Sequence, residues 1–265
     1  MSTKFLNTFL KILLFSASLI TITGCIYHAD NKNTQENTIR EEENIQLAAK
    51  YLVANQPLKA ISRLEKLLSH SPFSSNAYGL LGVIYQQQGE FALAEKNFEK
   101  ALRLNPSSSE IRNNYGAMLY TNKRFKEAAR QFHLASQNAY YKNRDRVFEN
   151  LGKTYLRMEK MQKAVDYYKH ALRLNSERSD VKLSLVKIFL QQKNLSEAER
   201  YYNDFLARDR ESAQSLWLGI QLAYKMNYSD KLTEYGNRLS KHYAGSTEYI
   251  KYQNLISSKM QSNDE

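Results

Sequence analysis

A 34-residue self-similarity constrains this chain more than any other property. Ala60, Ala94 and Ala128 share one phase, Tyr51, Tyr85 and Leu119 a second, and Pro72 and Pro106 a third. A period of that length marks one supersecondary unit, a pair of antiparallel helices that cannot bury its apolar face alone and so stacks on copies of itself. The chain is therefore read as all-α, and its function is sought on a surface. With 42% hydrophobic residues, only three prolines and nine glycines, it can bury a continuous helical core. No period-two alternation is sustained anywhere.

The clearest unit runs from Ser75 to Ser108, where Leu81, Gly82, Tyr85, Gly89, Phe91, Ala94, Phe98, Ala101 and Pro106 resemble the tetratricopeptide repeat. Gly82 and Ala94 let the two helices approach; Tyr85, Phe91 and Phe98 fill the space around that contact; Gly89 sits at the turn and Pro106 prevents continuation of the second helix. Ser75, Ser109, Asp145 and Ser179 are expected as N-caps. A terminal unit from Glu41 to Ser74 carries Asn55 in place of the turn glycine. A third contains Gly116, Ala128 and Phe132, a fourth Gly152, Ala164 and Tyr168. The step from Gly116 to Gly152 is two residues too long, which places an insertion around Tyr141 to Arg144. A fifth unit holds Phe205 where the other units carry alanine or leucine, so altered stacking is expected there. The resemblance implies a tetratricopeptide-repeat superhelix of about six stacked helix pairs over residues 41–260. The last pair is degenerate, a C-terminal helix runs from about Ser246 to Lys259, and the tail at 261–265 is frayed.

Met1–Gly24 has Lys4 and Lys11, no acid, and an apolar stretch from Ile12 to Ile22 too short for a permanent span, which reads as a secretory signal peptide. Ile22-Thr23-Gly24-Cys25 resembles the bacterial lipobox, implying that Cys25 is acylated with palmitate-type chains and becomes the mature N-terminus. Cys25 is the sole cysteine, so a disulfide within the chain is impossible. Two or three acyl chains give stable anchoring where one is marginal. Ile26 is not the aspartate that holds lipoproteins in the inner membrane, and by that analogy the chain lies on the periplasmic face of the outer membrane. Residues 25–40 are too polar to fold alone and are read as a tether.

Removing Met1–Gly24 takes away two lysines and no acid, so the net charge falls from +11 to +9. No nucleic-acid motif accompanies that charge, and nucleic acid is not expected as a partner. There is no H-E-x-x-H, G-x-S-x-G or cysteine pair. Gly152-Lys153-Thr154 imitates the end of a phosphate loop, but Val147 stands where that loop needs glycine. His28, His70, His133, His170 and His242 form no ligand set. Neither enzyme activity, metal nor cofactor is expected.

In stacked helix pairs the first helix of each unit lines the concave face, and its side chains not used in packing are candidates for recognition. These are Ile45, Ala49, Leu52 and Val53 in the first unit and Asn76, Val83 and Gln86 in the second. The third adds Asn113, Asn114, Ala117 and Tyr120, the fourth Arg146, Glu149, Asn150, Lys153 and Arg157, and the fifth Lys187. An apolar stretch beside amides suits an amphipathic helix or an extended segment. For Ile45, Leu52 and Val53 the alternative is the edge of the core, and for Asn113 and Asn114 a bond to a neighbouring repeat.

Strings that a generic repeat does not require are Asn113-Asn114-Tyr115-Gly116, Ser136-Gln137, Arg146-Val147-Phe148-Glu149-Asn150-Leu151-Gly152, Leu172-Arg173-Leu174-Asn175 and Ser215-Leu216-Trp217-Leu218-Gly219-Ile220. In these the chain resembles the type IV pilus biogenesis lipoproteins of the PilF/PilW family, the pilotins of the pilus secretin. Tyr140-Tyr141-Lys142 departs from the family, which tends to have proline there. The resemblance implies a lipid-anchored outer-membrane protein, monomeric by itself, that binds the secretin subunit and promotes its localisation and multimerisation, and hence pilus assembly and twitching motility. A general envelope adaptor for peptidoglycan enzymes or outer-membrane protein assembly fits the lipobox and repeats equally well.

Overall fold

The structure, a computed structural model, describes residues 38–261. The signal peptide, the acylation of Cys25 and most of the expected tether lie outside the described residues, as does the tail beyond Gln261. The described residues are helical with no strand among them. One compact unit, ending at Ser107, contains α1 (residues 38–53), α2 (Pro57–His70), α3 (Ser75–Gln87) and α4 (Phe91–Leu104). The other, from Ser108, contains α5 (Ser109–Thr121), α6 (Phe125–Ser136), α7 (Arg144–Arg157), α8 (Met161–Leu174), α9 (Ser179–Gln191), α10 (Leu195–Leu206), α11 (Ala213–Lys225), α12 (Ser229–Tyr243) and α13 (Thr247–Gln261). No described helix is long and apolar enough to cross a membrane.

Residues 38–40, the first described, are already helical, so they belong to α1 and not to the expected tether. Glu41 accepts a 2.5 Å hydrogen bond from Ser74 Oγ, and Asn44 Nδ2 donates to the Arg40 carbonyl at 2.6 Å.

Each helix pair turns on one residue in the left-handed region: Asn55 (φ 56°), Gly89 (80°), Lys123 (60°), Glu159 (60°), Lys193 (58°) and Asn227 (56°). The residue that follows donates its N–H to the carbonyl five positions back, from Gln56 to Tyr51 at 2.8 Å through Tyr228 to Ala223 at 2.8 Å, the Schellman closure of a helix C-terminus. All steps between these turns are 34 residues except that from Lys123 to Glu159, which is 36. The two extra residues are absorbed between α6 and α7, where Arg144 Nε donates to the Ser136 carbonyl at 2.8 Å and Tyr140 stands 96% exposed. The sixth pair, blurred in sequence, has the same turn as the rest. Leu232, 6% exposed, occupies the position held by the fully buried Ala60, Ala94, Ala128, Ala164 and Ala198.

Within a pair, the small residue of the first helix receives an aromatic ring sixteen positions later. A Cβ on Gly82 would lie 2.8 Å from the Phe98 ring, on Gly116 2.7 Å from Phe132, and on Gly152 2.6 Å from Tyr168. Overpacking of this kind costs about 1–3 kcal/mol. The fifth pair breaks the scheme. Val186 replaces the glycine, and Phe205 replaces the alanine found at Ala101, Ala135 and Ala171. Tyr202 accordingly turns forward, its hydroxyl 2.1 Å from where a Cβ on Gly219 of α11 would be, and its ring meets Phe205 at 6.2 Å and Tyr235 at 5.8 Å. The altered stacking expected at Phe205 is thus a change of partner for Tyr202.

The N-caps fall one residue earlier than expected at two helices. Ser74 and Ser108, with extended backbones, accept from the amides of Ala77 and Ile111, while Ser75 and Ser109 are already helical. α7 follows Asn143 and α9 follows Arg178, neither of which caps through its side chain, so Asp145 and Ser179 lie inside their helices. A cap must keep a non-helical backbone while its oxygen reaches the third amide of the helix, a condition these inner residues do not meet.

Candidate functional site

In the unit from Ser108, the first helices of successive pairs touch: α5 contacts α7, and α9 contacts α11. Asn150 Nδ2 of α7 donates to Asn113 Oδ1 of α5 at 3.0 Å, so these amides join two repeats. Asn114, Ala117 and Tyr120 are half-buried on α5, and Arg146, Lys153, Arg157 and Lys187 are exposed on α7 and α9. Lys153 and Lys187 sit one repeat apart at the same position of consecutive first helices.

Glu149, expected to face a guest, is instead 4% exposed and held by Arg178 and Lys153. A carboxylate at that depth must be neutralised by its neighbours, so it organises the site from beneath. Arg178 is the hub: besides Glu149 it reaches Asp145 at 3.3 Å and Asp180 at 3.2 Å. Asn175 Nδ2 adds a 3.2 Å bond to Asp145. Fully buried Lys182 is likewise met by Asp209 at 3.4 Å and Asp204 at 3.5 Å. The acids of α7 and the α9 start are therefore spent internally, while Arg146 and Lys187 project outward and leave this face cationic. Under it, burial raises the Tyr168 hydroxyl pKa.

In the unit ending at Ser107, Ile45 and Leu52 pack against the core formed by Ala48, Ala60, Leu64, Leu67, Ala77, Leu81 and Ile84. These two residues belong to the edge of this core. Val53 is 90% exposed at the end of α1. Ala49, Val83 and Gln86 are half-buried and Asn76 exposed. α3 carries no charged side chain at all.

The sequence reading missed an open surface concavity of about 530 Å³ at the turns of the third and fourth pairs. Lys123, Arg124, Phe125, Lys126, Glu127, Met158 and Lys160 line it. Lysines in successive turns were its one available signal. Phe125 lies edge-on to Tyr120 at 5.5 Å and under the Arg157 guanidinium at 5.2 Å. Among the described residues no cluster of His, Cys, Asp and Glu could hold a metal ion.

Residues 75–108 and 155–217 match tetratricopeptide-repeat family models. The chain is 35% identical over 237 residues to the type IV pilus assembly protein PilF of Pseudomonas aeruginosa, covering 88% of this chain and 94% of that relative. The solved structure of Pseudomonas aeruginosa PilF aligns with a TM-score of 0.75 at 35% identity, over 83% of this chain and 99% of that one. PilW, described as a widely conserved type IV pilus biogenesis factor, shares the fold with a TM-score of 0.71 at 24% identity, over 82% of this chain and 98% of its own. By its identity to PilF along nearly the whole of both chains, the protein belongs to the PilF family of tetratricopeptide-repeat proteins of type IV pilus biogenesis.

Proposed function

We propose that this protein is the pilotin of a type IV pilus: a repeat scaffold, lipid-anchored through Cys25 on the periplasmic face of the outer membrane, that binds the secretin subunit and promotes its localisation and multimerisation there. The reading takes Met1–Gly24 as a signal peptide and the stretch before α1 as the tether. The observation that carries it is the face of α5, α7 and α9 in a PilF-family chain. Asn114, Arg146 and Lys187 are arrayed there over a polar layer, Asn113–Asn150 and Lys153–Glu149–Arg178, that already satisfies itself. Such a face offers hydrogen bonds and positive charge to a guest segment without first giving up internal bonds. Tethering then raises the local concentration of that guest at the membrane without any new contact.

The test is the fraction of secretin recovered as heat-resistant multimer in outer-membrane fractions. Deletion is expected to abolish it, the complementing gene to restore it, and Cys25→Ser or Lys187→Glu with Arg146→Glu to restore it poorly. Multimers unchanged by deletion would defeat the pilotin reading and favour a general envelope adaptor.

A further inference from the structure

The pocket beside Phe125 is chemically distinct from the rest of its edge. Its floor is apolar, made by Phe125 and Met158, and three lysines rim it: Lys123, Lys126 and Lys160. None of these lysines has a carboxylate partner among the described residues. The one acid in the lining, Glu127, is committed to Arg124 through two hydrogen bonds of 2.7 Å. The Arg157 guanidinium lies 5.2 Å from the centroid of the Phe125 ring, which adds positive charge beside that ring. An apolar floor inside an uncompensated ring of cations complements a ligand with the reverse arrangement, an apolar group flanked by negative charges.

We propose that this pocket is a docking site for an acidic segment of another protein, one apolar or aromatic side chain seated between Phe125 and Met158 and the carboxylates on either side of it meeting Lys123, Lys126 and Lys160. The inference is independent of the guest bound on the α5, α7 and α9 face. A protein segment is favoured over an anionic bilayer because the cations surround a single recess. The corresponding turn of the fifth pair keeps a lysine, Lys193, but has Asn194, Leu195 and Ser196 where the third has Arg124, Phe125 and Lys126, and that of the sixth has Asn227, Tyr228 and Asp230 where the third has Lys123, Arg124 and Lys126. A flat anionic surface would make no use of the recess between Phe125 and Met158.

The experiment measures fluorescence anisotropy of a labelled Asp-Glu-Asp-Phe-Asp-Glu-Asp peptide titrated with the full-length protein. Charge reversal at Lys123→Glu with Lys160→Glu is expected to weaken binding at least tenfold. Replacing the peptide phenylalanine by serine, which leaves the protein untouched, is expected to weaken it at least fivefold. Lys225→Glu with Lys241→Glu, the same change in net charge elsewhere, is expected to leave it unchanged. Equal loss in the site and control variants, or equal binding of the serine peptide, would overturn the proposal by reducing the contact to nonspecific charge attraction. Vesicles of phosphatidylglycerol and phosphatidylethanolamine that bind the protein more tightly than the peptide, with the same dependence on Lys123 and Lys160, would overturn it in favour of a membrane surface.

Discussion

Replacing Arg178 by alanine removes the partner of a carboxylate that has almost no access to water. The Glu149 side chain is 5% exposed and that of Arg178 17%, and the guanidinium also serves Asp145, itself 13% exposed. Breaking a buried pair from one side costs about 3–5 kcal/mol, because the remaining charge stays in place unpaired. Lys153 still reaches Glu149, but its side chain is 44% exposed, so its help is screened and only moderates the loss. A loss of about 2–4 kcal/mol follows. With a urea m-value of about 1–3 kcal/mol/M, this lowers the denaturation midpoint by roughly 1–2 M. Adding Glu149→Gln should recover about half of that loss, since the two residues are coupled and their effects are not additive. Urea titration followed by circular dichroism reads the midpoints, and amide exchange in α7 and α9 places the loss. A midpoint for Arg178→Ala within about 0.3 M of the parent, less than one kcal/mol on that slope, would refute the reasoning. So would a double variant no more stable than Arg178→Ala alone.

Glu159→Gly and Lys193→Gly should each be stabilising. The left-handed backbone costs an L-residue about 1–2 kcal/mol, and glycine gives back about 0.5–1 in unfolded-chain entropy, leaving a net gain of up to about 1 kcal/mol. A lowered melting temperature in either variant would contradict this. His133, whose Nε2 lies 2.9 Å from the Tyr155 hydroxyl, has its pKa lowered by burial and then by Lys163; His170 is lowered by burial and then by Arg173 and Arg144. Because the folded state binds these protons less readily than the unfolded one, stability is full above the ordinary histidine value of 6.5 and declines as pH falls below it. Thermal melts from pH 8 to 5 should show that decline, and His133→Gln should flatten it.

The repeat register was legible because it rests on sterics that leave a fixed residue type. Ala60, Ala94, Ala128, Ala164 and Ala198 are all fully buried, and the glycine–aromatic pairs recur at one separation. The turns were less legible, since a helix hairpin closed by Schellman bonds holds lysine or glutamate in the left-handed region as well as glycine. The caps slipped by one where serines are adjacent, as at Ser74-Ser75, and only the backbone conformation decides which of the two is outside the helix. Glu149 was misjudged because the residue that buries it, Arg178, lies 29 positions away and leaves no local pattern. Ile45 and Leu52 read as groove residues because periodicity does not distinguish a face open to a guest from the edge of a core.

The forward turn of Tyr202 has a consequence for cooperativity. The stability of a repeat array is approximately a sum of terms intrinsic to each repeat and terms for each interface between neighbours. In the second, third and fourth pairs the large ring is spent inside its own pair. In the fifth it enters α11 and meets Tyr235 of α12, which moves energy from the intrinsic term to the coupling term. Pairs five and six are therefore expected to melt as one block, so that the array loses its independent steps where its sequence is least regular.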